Sequence, residues 1–303
     1  MVGHSSRSLS SCGEERGLPP TGSYPAYLRW LASRDRGATR CAWRLALGGL
    51  EGPTLVGAAA PDPGTTLPRR TELELSAEAG DAILAGARAR GVTLNTVLNA
   101  AWAVVLGDLV GQQDLVFGTT VSGRPPELAD VEHVVGMFLN TIPARVRIDP
   151  AESVPAFLRR VQDERVAMLD HEHLGLGEIQ HAVGQRTLFD TLFVLQNFPV
   201  LDADRLAADG IRYLDYVDST HFPVVMIATP AATLRLTLQH RPSVLDDDTA
   251  DAVLARFATV VERLVDNTGF VGALDVLAPG ERGVLEAAWA SSVRLVVRYP
   301  HAW

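Results

Sequence analysis

The side chains best suited to chemistry in this 303-residue chain lie in one block, VFGTTVSGRPPELADVEHVVGMFLNTIPAR, residues 116–145. Ser122 and Thr141 carry hydroxyls, Asn140 a carboxamide, and Arg124 and Arg145 guanidinium forks. Asn140 and Thr141 follow a nearly all-apolar run, residues 134–139, so two uncharged hydrogen-bonding groups are expected inside a hydrophobic stretch. Burying such groups without partners costs on the order of 1–3 kcal/mol. They therefore either satisfy neighbouring backbone or face a cavity where a ligand pairs with them.

Other combinations fail as sites. Gly118 and Gly123 have the spacing of a phosphate loop, but Arg124-Pro125 stands where Lys-Ser/Thr is needed, so no nucleotide site is expected. Ser122 lacks the Gly-x-Ser-x-Gly frame of a nucleophile elbow. His171 and His173 are two apart, a spacing that on a helix puts them on different faces, and no third ligand is evident, so no metal site is expected. His221, in Asp218-x-x-His221, falls near a strand end and reads as a satisfied strand-end histidine or as a residue open to a substrate.

The elements that position these residues follow from periodicity. Thr119 to Val121 suit a strand that runs out at Ser122-Gly123, and Gly123-Arg124-Pro125-Pro126 breaks pairing. A second strand is expected through the apolar run into Asn140, with Arg145 and Arg147 alternating beyond it. Leu94, Val97, Leu98, Ala101, Trp102, Val105 and Leu106 form the stripe of a helix packed on a sheet, capped by Thr93. Ser76 and Ser153 mark the starts of two more helices, and two helical pieces fall between Tyr24 and Leu50. Residues 70–75, 192–195, 211–217, 224–228 and 234–238 read as strands, and 246–265 as a long final helix. The pattern is mixed α/β without a fixed repeat.

Composition excludes several classes. A hydrophobic content of 47% supports a packed core, and a formal net charge of −9 disfavours nucleic acid and anionic membranes. No stretch of about 18 apolar residues is present, and the first residues lack the apolar core of a secretory signal, so a cytoplasmic protein is expected. Cys12 and Cys41 form neither a disulfide framework nor a metal-binding pair.

GTTVSGRPPEL followed by VVGMFLNT-x-x-x-R resembles the condensation domains of nonribosomal peptide synthetases. Tyr24 to Trp30 is similar to the family's Tyr-x-Asp-Phe/Tyr-x-x-Trp segment, with Ala26 in place of the acidic residue. Residues 170–176 and 218–223 fit its last two motifs in order. The resemblance implies a chloramphenicol-acetyltransferase-like mixed-sheet sandwich, of which this chain forms the second subdomain. It also implies a substrate tunnel with Ser122, Gly123 and Arg124 in its floor, Asn140, Thr141 and Arg145 in its wall, and His221 as a further candidate.

The family's His-His-x-x-x-Asp-Gly motif, which carries its catalytic or positioning histidine, occurs nowhere in the sequence. The expectation is therefore a truncated condensation domain that is inactive alone. The alternatives are a split enzyme completed by another chain and a noncatalytic module that binds carrier proteins. The implied partner is a peptidyl carrier protein with its aminoacyl or peptidyl thioester; the phosphopantetheine belongs to that carrier, and no cofactor is expected on this chain. The implied organisation is a disordered or non-family leader over 1–19, the end of the first subdomain and a crossover over 20–68, the C-terminal condensation subdomain over 69–286, and a divergent tail over 287–303.

Overall fold

The computed structural model describes residues 22–57, 67–197 and 220–296. The described chain forms two compact units. The smaller holds the described residues up to Asp35 together with Ser122–Leu139, and the larger holds Arg36–Val121 and the described residues from Asn140 onward.

In the smaller unit, helix α1 (Tyr24–Ala32) starts where Ser23 accepts a hydrogen bond from the Ala26 amide, with proline in its first turn. Its aromatic face meets the loop from Ser122 to Leu139: the Tyr27 and Phe138 rings lie 4.6 Å apart, and Tyr24 meets Phe138 edge-on at 5.6 Å. The run 134–139, expected to enter a strand, is loop. Val134 and Phe138 are buried among these rings while Val135, Met137 and Leu139 are exposed. The strand begins only at Asn140. Local aromatic packing overrides the strand propensity of the run, because Val134 and Phe138 find their burial in this unit.

The larger unit is one six-stranded sheet with helices on both faces. In chain order its elements are α2 (Arg36–Ala46), β1 (Arg69–Glu74), α3 (Ala77–Ala89), α4 (Leu94–Val110), β2 (Asp114–Val121), β3 (Asn140–Arg147), α5 (Val154–Ala167), α6 (Leu176–Val183), β4 (Thr191–Leu195), β5 (Val224–Pro230), β6 (Leu234–His240), α7 (Asp247–Asp266) and α8 (Glu281–Val296). The sheet order is β1-β6-β5-β4-β2-β3; β2 with β4 and β4 with β5 run parallel, and the remaining pairs antiparallel. Helix α8 follows the helix expected to be last. The strand expected over 211–217 lies outside the described residues, as do the leader and most of the crossover.

Strand alternation sends neighbouring side chains into two separate cores. Leu115, Phe117, Phe193, Val224 and Met226 pack with α3, α4, α5 and α7, whereas Val116, Leu192 and Val225 pack with Trp43 and Leu47 at the α2 end and Ile179 of α6. Helix α4 is buried on all sides from Thr96 to Gly107, beyond the single stripe the sequence suggests. It lies between the sheet and the long α7, where Trp102 meets Phe257 edge-on at 6.0 Å. Ser76, Thr93, Ser153 and Asp246 each cap a helix by accepting a backbone amide three residues on. No single helix among the described residues is long and apolar enough to cross a membrane.

Just before β4, the half-buried Asp190 carboxylate accepts the Val56 amide at 3.0 Å and the Gly57 amide at 2.9 Å. Burial nevertheless raises its pKa above the ordinary carboxylate value, outweighing these amides. A raised folded-state pKa contributes stability that is complete below about pH 4 and is lost as pH rises through the folded value. Asp190→Asn is therefore expected to gain melting temperature relative to the parent as pH rises from about 4 to 7. Relative loss over that range, measured by thermal melts at a series of pH values, would show that the two amides outweigh burial.

Candidate functional site

The sheet separates the candidate residues rather than gathering all of them. Asn140 pairs with Val121, the last residue of β2. Strands β2, β4 and β5 run in one direction, so His221, which precedes β5, lies at the end of the sheet where β2 begins, opposite Asn140. His221 is exposed, with its ring 4.0 Å from that of Phe222.

Asn140 is tied entirely to backbone. Its amide nitrogen donates to the Glu172 carbonyl at 2.7 Å and the Leu174 carbonyl at 2.9 Å, and its Oδ1 accepts the Thr141 amide at 3.0 Å. Three of its hydrogen-bonding positions are thus used to hold the 172–174 segment against the start of β3. Thr141 is half-buried beside it, paired across the ladder with Thr120.

Arg145 has a similar role further along β3. Its side chain is 11% exposed and grips Asp114 through two bonds, Nε to Oδ1 at 2.8 Å and Nη2 to Oδ2 at 2.6 Å. Its Nη1 donates to the carbonyls of Ala46 and Gly48 at 3.0 and 2.7 Å, which closes the C-terminal end of α2. The hydrogen-bonded carboxylate holds this guanidinium above the ordinary arginine pKa. The pair is diagonal on the antiparallel ladder, since Asp114 stands opposite Arg147 and Val116 opposite Arg145.

Ser122, Gly123 and Arg124 belong to the smaller unit. Gly123 has φ +59°, and a Cβ there would come within 2.0 Å of the Phe138 carbonyl oxygen, so only glycine fits. Arg124 donates to the Val131 carbonyl and to that of Val134 at 3.3 Å, and its guanidinium lies 4.2 Å from the centre of the Phe138 ring. Ser122 Oγ accepts the Arg124 amide at 3.4 Å. These residues fix the shape of the loop.

The histidine pair departs from the helical geometry expected of it. His171 ends a single 3-10 turn and His173 follows it, so both rings reach one buried hydroxyl, Thr39 Oγ1, at 3.3 Å from His171 Nδ1 and 3.4 Å from His173 Nε2. Trp43 Nε1 donates to the His171 carbonyl at 3.1 Å. Between the two histidines, Glu172 forms an ion pair with Arg165 of α5, and burial pushes the Arg165 pKa down. Residues 169–174 thus bind α2, β3 and α5 together.

Beside this junction a cavity of about 460 Å³ opens between α2, α4, α5 and the edge strand β3. Trp43, Ala46, Ile142, Val146, Val161 and Met168 make its walls largely apolar. Asn95, Asn99 and Thr119 are polar residues in the lining that sequence reasoning misses, although the two asparagines interrupt an otherwise apolar helix and so carry a weak signal. Its charged residues are Arg145, Arg147, Glu164 and Arg165, and each is in an ion pair: Arg147 with Glu164 at 2.7 Å, Arg145 with Asp114 and Arg165 with Glu172. No histidine among the described residues lines it.

The condensation-domain family model matches residues 9–285, nearly the whole length. This chain belongs to the condensation-domain family. It is 34% identical over 243 residues to chondramide synthase cmdD of Chondromyces crocatus, covering 78% of this chain and 6% of that protein. It is 32% identical over 199 residues to vanchrobactin synthetase VabF of Vibrio anguillarum, covering 64% of this chain and 7% of that protein. The condensation-domain chain therefore matches less than a tenth of the length of either relative. The first condensation domain of the CDA synthetase shares its fold, with a TM-score of 0.66 at 19% identity over 85% of this chain and 58% of that one. A four-domain nonribosomal peptide synthetase, holo-AB3403, gives a TM-score of 0.69 at 16% identity over 83% of this chain and 21% of that one. The mixed sheet with helices on both faces agrees with the acetyltransferase-like architecture expected from the sequence.

Proposed function

We propose that this chain supplies the C-terminal half of a site that joins a carrier-bound aminoacyl or peptidyl thioester to an amine, and that these 303 residues alone form no amide. In that reaction the amine nitrogen attacks the thioester carbonyl, the C–N bond forms, the C–S bond breaks, and the amine proton is transferred to the departing thiolate. The step needs a group that manages the proton and donors that stabilise the oxyanion. Membership of the family supports the reaction class.

One observation carries the proposal of inactivity: both glutamates at the cavity, Glu164 in its lining and Glu172 behind Arg165, are held by arginines, and no histidine among the described residues lines it. Among the described residues, the buried His240 is also engaged, with Nδ1 2.9 Å from the Leu245 carbonyl. The proton acceptor is assigned instead to a His-His-x-x-x-Asp-Gly segment outside these 303 residues. The thioester partner is a peptidyl carrier protein whose own phosphopantetheine arm delivers the acyl group.

The test is amide formation by the purified chain mixed with a loaded donor carrier and an amine-bearing acceptor carrier, followed by mass spectrometry. Product at the rate of the carriers without the chain is expected. Carrier-dependent amide above that rate would overturn the assignment.

A further inference from the structure

We propose that the open edge of β3 pairs with an extended, uncharged peptide and seats its apolar side chains in the cavity beside that edge. The inference goes beyond bond formation, since it concerns equilibrium binding by this chain without a carrier.

Strand β3 ends the sheet, with β2 as its single neighbour among the described strands. The Ile148 amide donates to the Gln113 carbonyl at 2.7 Å, which sets the phase of this antiparallel ladder. Ile142, Ala144 and Val146 therefore bond to β2, and Thr141, Pro143, Arg145 and Arg147 turn their backbone groups to the open side. Side chains satisfy both ends of that edge: Asn140 Oδ1 accepts the Thr141 amide at 3.0 Å, and Arg160 Nη2 donates to the Arg147 carbonyl at 2.6 Å. Between them, the Pro143 carbonyl and the amide and carbonyl of Arg145 have no hydrogen-bond partner among the described residues. Proline stands at an outward position, where its missing N–H costs the β2 ladder nothing.

The cavity runs along this same edge. Every residue from Ile142 to Arg147 lines it, and its volume of about 460 Å³ lies in the range of small-molecule sites.

The occupant follows from what the edge presents. A strand's outward donors and acceptors are matched by the backbone of another extended chain. In an antiparallel arrangement one peptide residue exchanges two bonds with Arg145, and the residue two further on donates to the Pro143 carbonyl. Alternation places both of their side chains on the face of Arg145, where Val116 opposite it packs with Trp43 and where Trp43, Ala46 and Leu47 line the cavity. Those side chains are apolar for that reason. A charged one is excluded because Arg145, Arg147 and Arg165 are each already in an ion pair, so an added charge would lack a partner. A second copy of β3 fits poorly, since two-fold pairing centred on Arg145 sets two arginines directly opposite each other.

The probe is acetyl-Leu-Ala-Leu-amide, titrated calorimetrically into the purified chain, with hydrogen exchange of single amides followed by NMR. Saturable binding is expected, with slowed exchange at the Arg145 amide and no change at the Ala144 amide, which β2 already holds. N-methylation of both leucines removes the pairing N–H groups and is expected to weaken binding by about tenfold or more. N-methylation of the alanine, whose N–H faces away, is expected to leave affinity within about twofold. Absence of saturable heat up to the solubility limit, unchanged exchange at Arg145 on saturation, or equal effects of the two methylation patterns would each overturn the proposal. A parent chain that sediments as a dimer with the Arg145 amide already protected would overturn it too, because a second copy would then hold the edge. Because no carrier is present, failure here leaves the proposed condensation role separately testable.

Discussion

Arg145→Met is expected to lower unfolding free energy by about 2–3 kcal/mol, less than the cost of breaking a fully buried charge pair, because the Asp114 side chain left behind is 34% exposed. The methionine conserves the stem but deletes four hydrogen bonds, two to Asp114 and one each to the carbonyls of Ala46 and Gly48. The Asp114 carboxylate then loses its counter-charge, and the end of α2 loses its cap. Arg145→Lys restores a charge but not the fork, so it is expected to fall between the parent and methionine. Urea unfolding followed by circular dichroism measures both. If methionine costs less than about 1 kcal/mol, the clamp is an exposed pair of little consequence.

Asn140→Ala is expected to cost about 3 kcal/mol, since it strips partners from the Glu172 and Leu174 carbonyls and the Thr141 amide in a partly buried setting. Asn140→Asp separates this structural role from one in contact with substrate. At neutral pH it places a carboxylate against two carbonyl oxygens, so it is expected to be less stable than alanine. Acidification protonates it, provides one O–H donor, and is expected to recover part of the loss. Aspartate as stable as the parent at pH 7 would show that the Asn140 amide does not hold the two carbonyls.

The sequence exposes the elements well where local chemistry decides them. Ser76, Thr93 and Ser153 cap the helices they are expected to start, because a cap is set by a hydroxyl and an amide three residues away. The apolar run before Asn140 misleads for the opposite reason. Its burial is decided by Tyr24 and Tyr27, about 110 residues earlier in the chain, and nothing local distinguishes it from a strand.

The site is legible only in part. Asn140 and Arg145 stand out as polar residues in an apolar context, but their partners do not: the Glu172 and Leu174 carbonyls have no sequence signature, and Asp114 looks like any strand-edge acid. His171 and His173 mislead through their spacing, which is a statement about α-helices. A 3-10 turn brings both to Thr39. The cavity itself is invisible in sequence, since it is assembled from four elements that meet only after the sheet has formed.

The most direct test is reconstitution. Amide formation between loaded carriers is measured while a polypeptide containing the family's His-His-x-x-x-Asp-Gly segment is titrated into a fixed amount of this chain. Product that rises to saturation, and disappears when the second histidine of that segment is replaced by alanine, is the predicted result. Product formed equally well by this chain with the alanine variant, or by the added polypeptide without this chain, would contradict the assignment of this chain as one half of a condensation site.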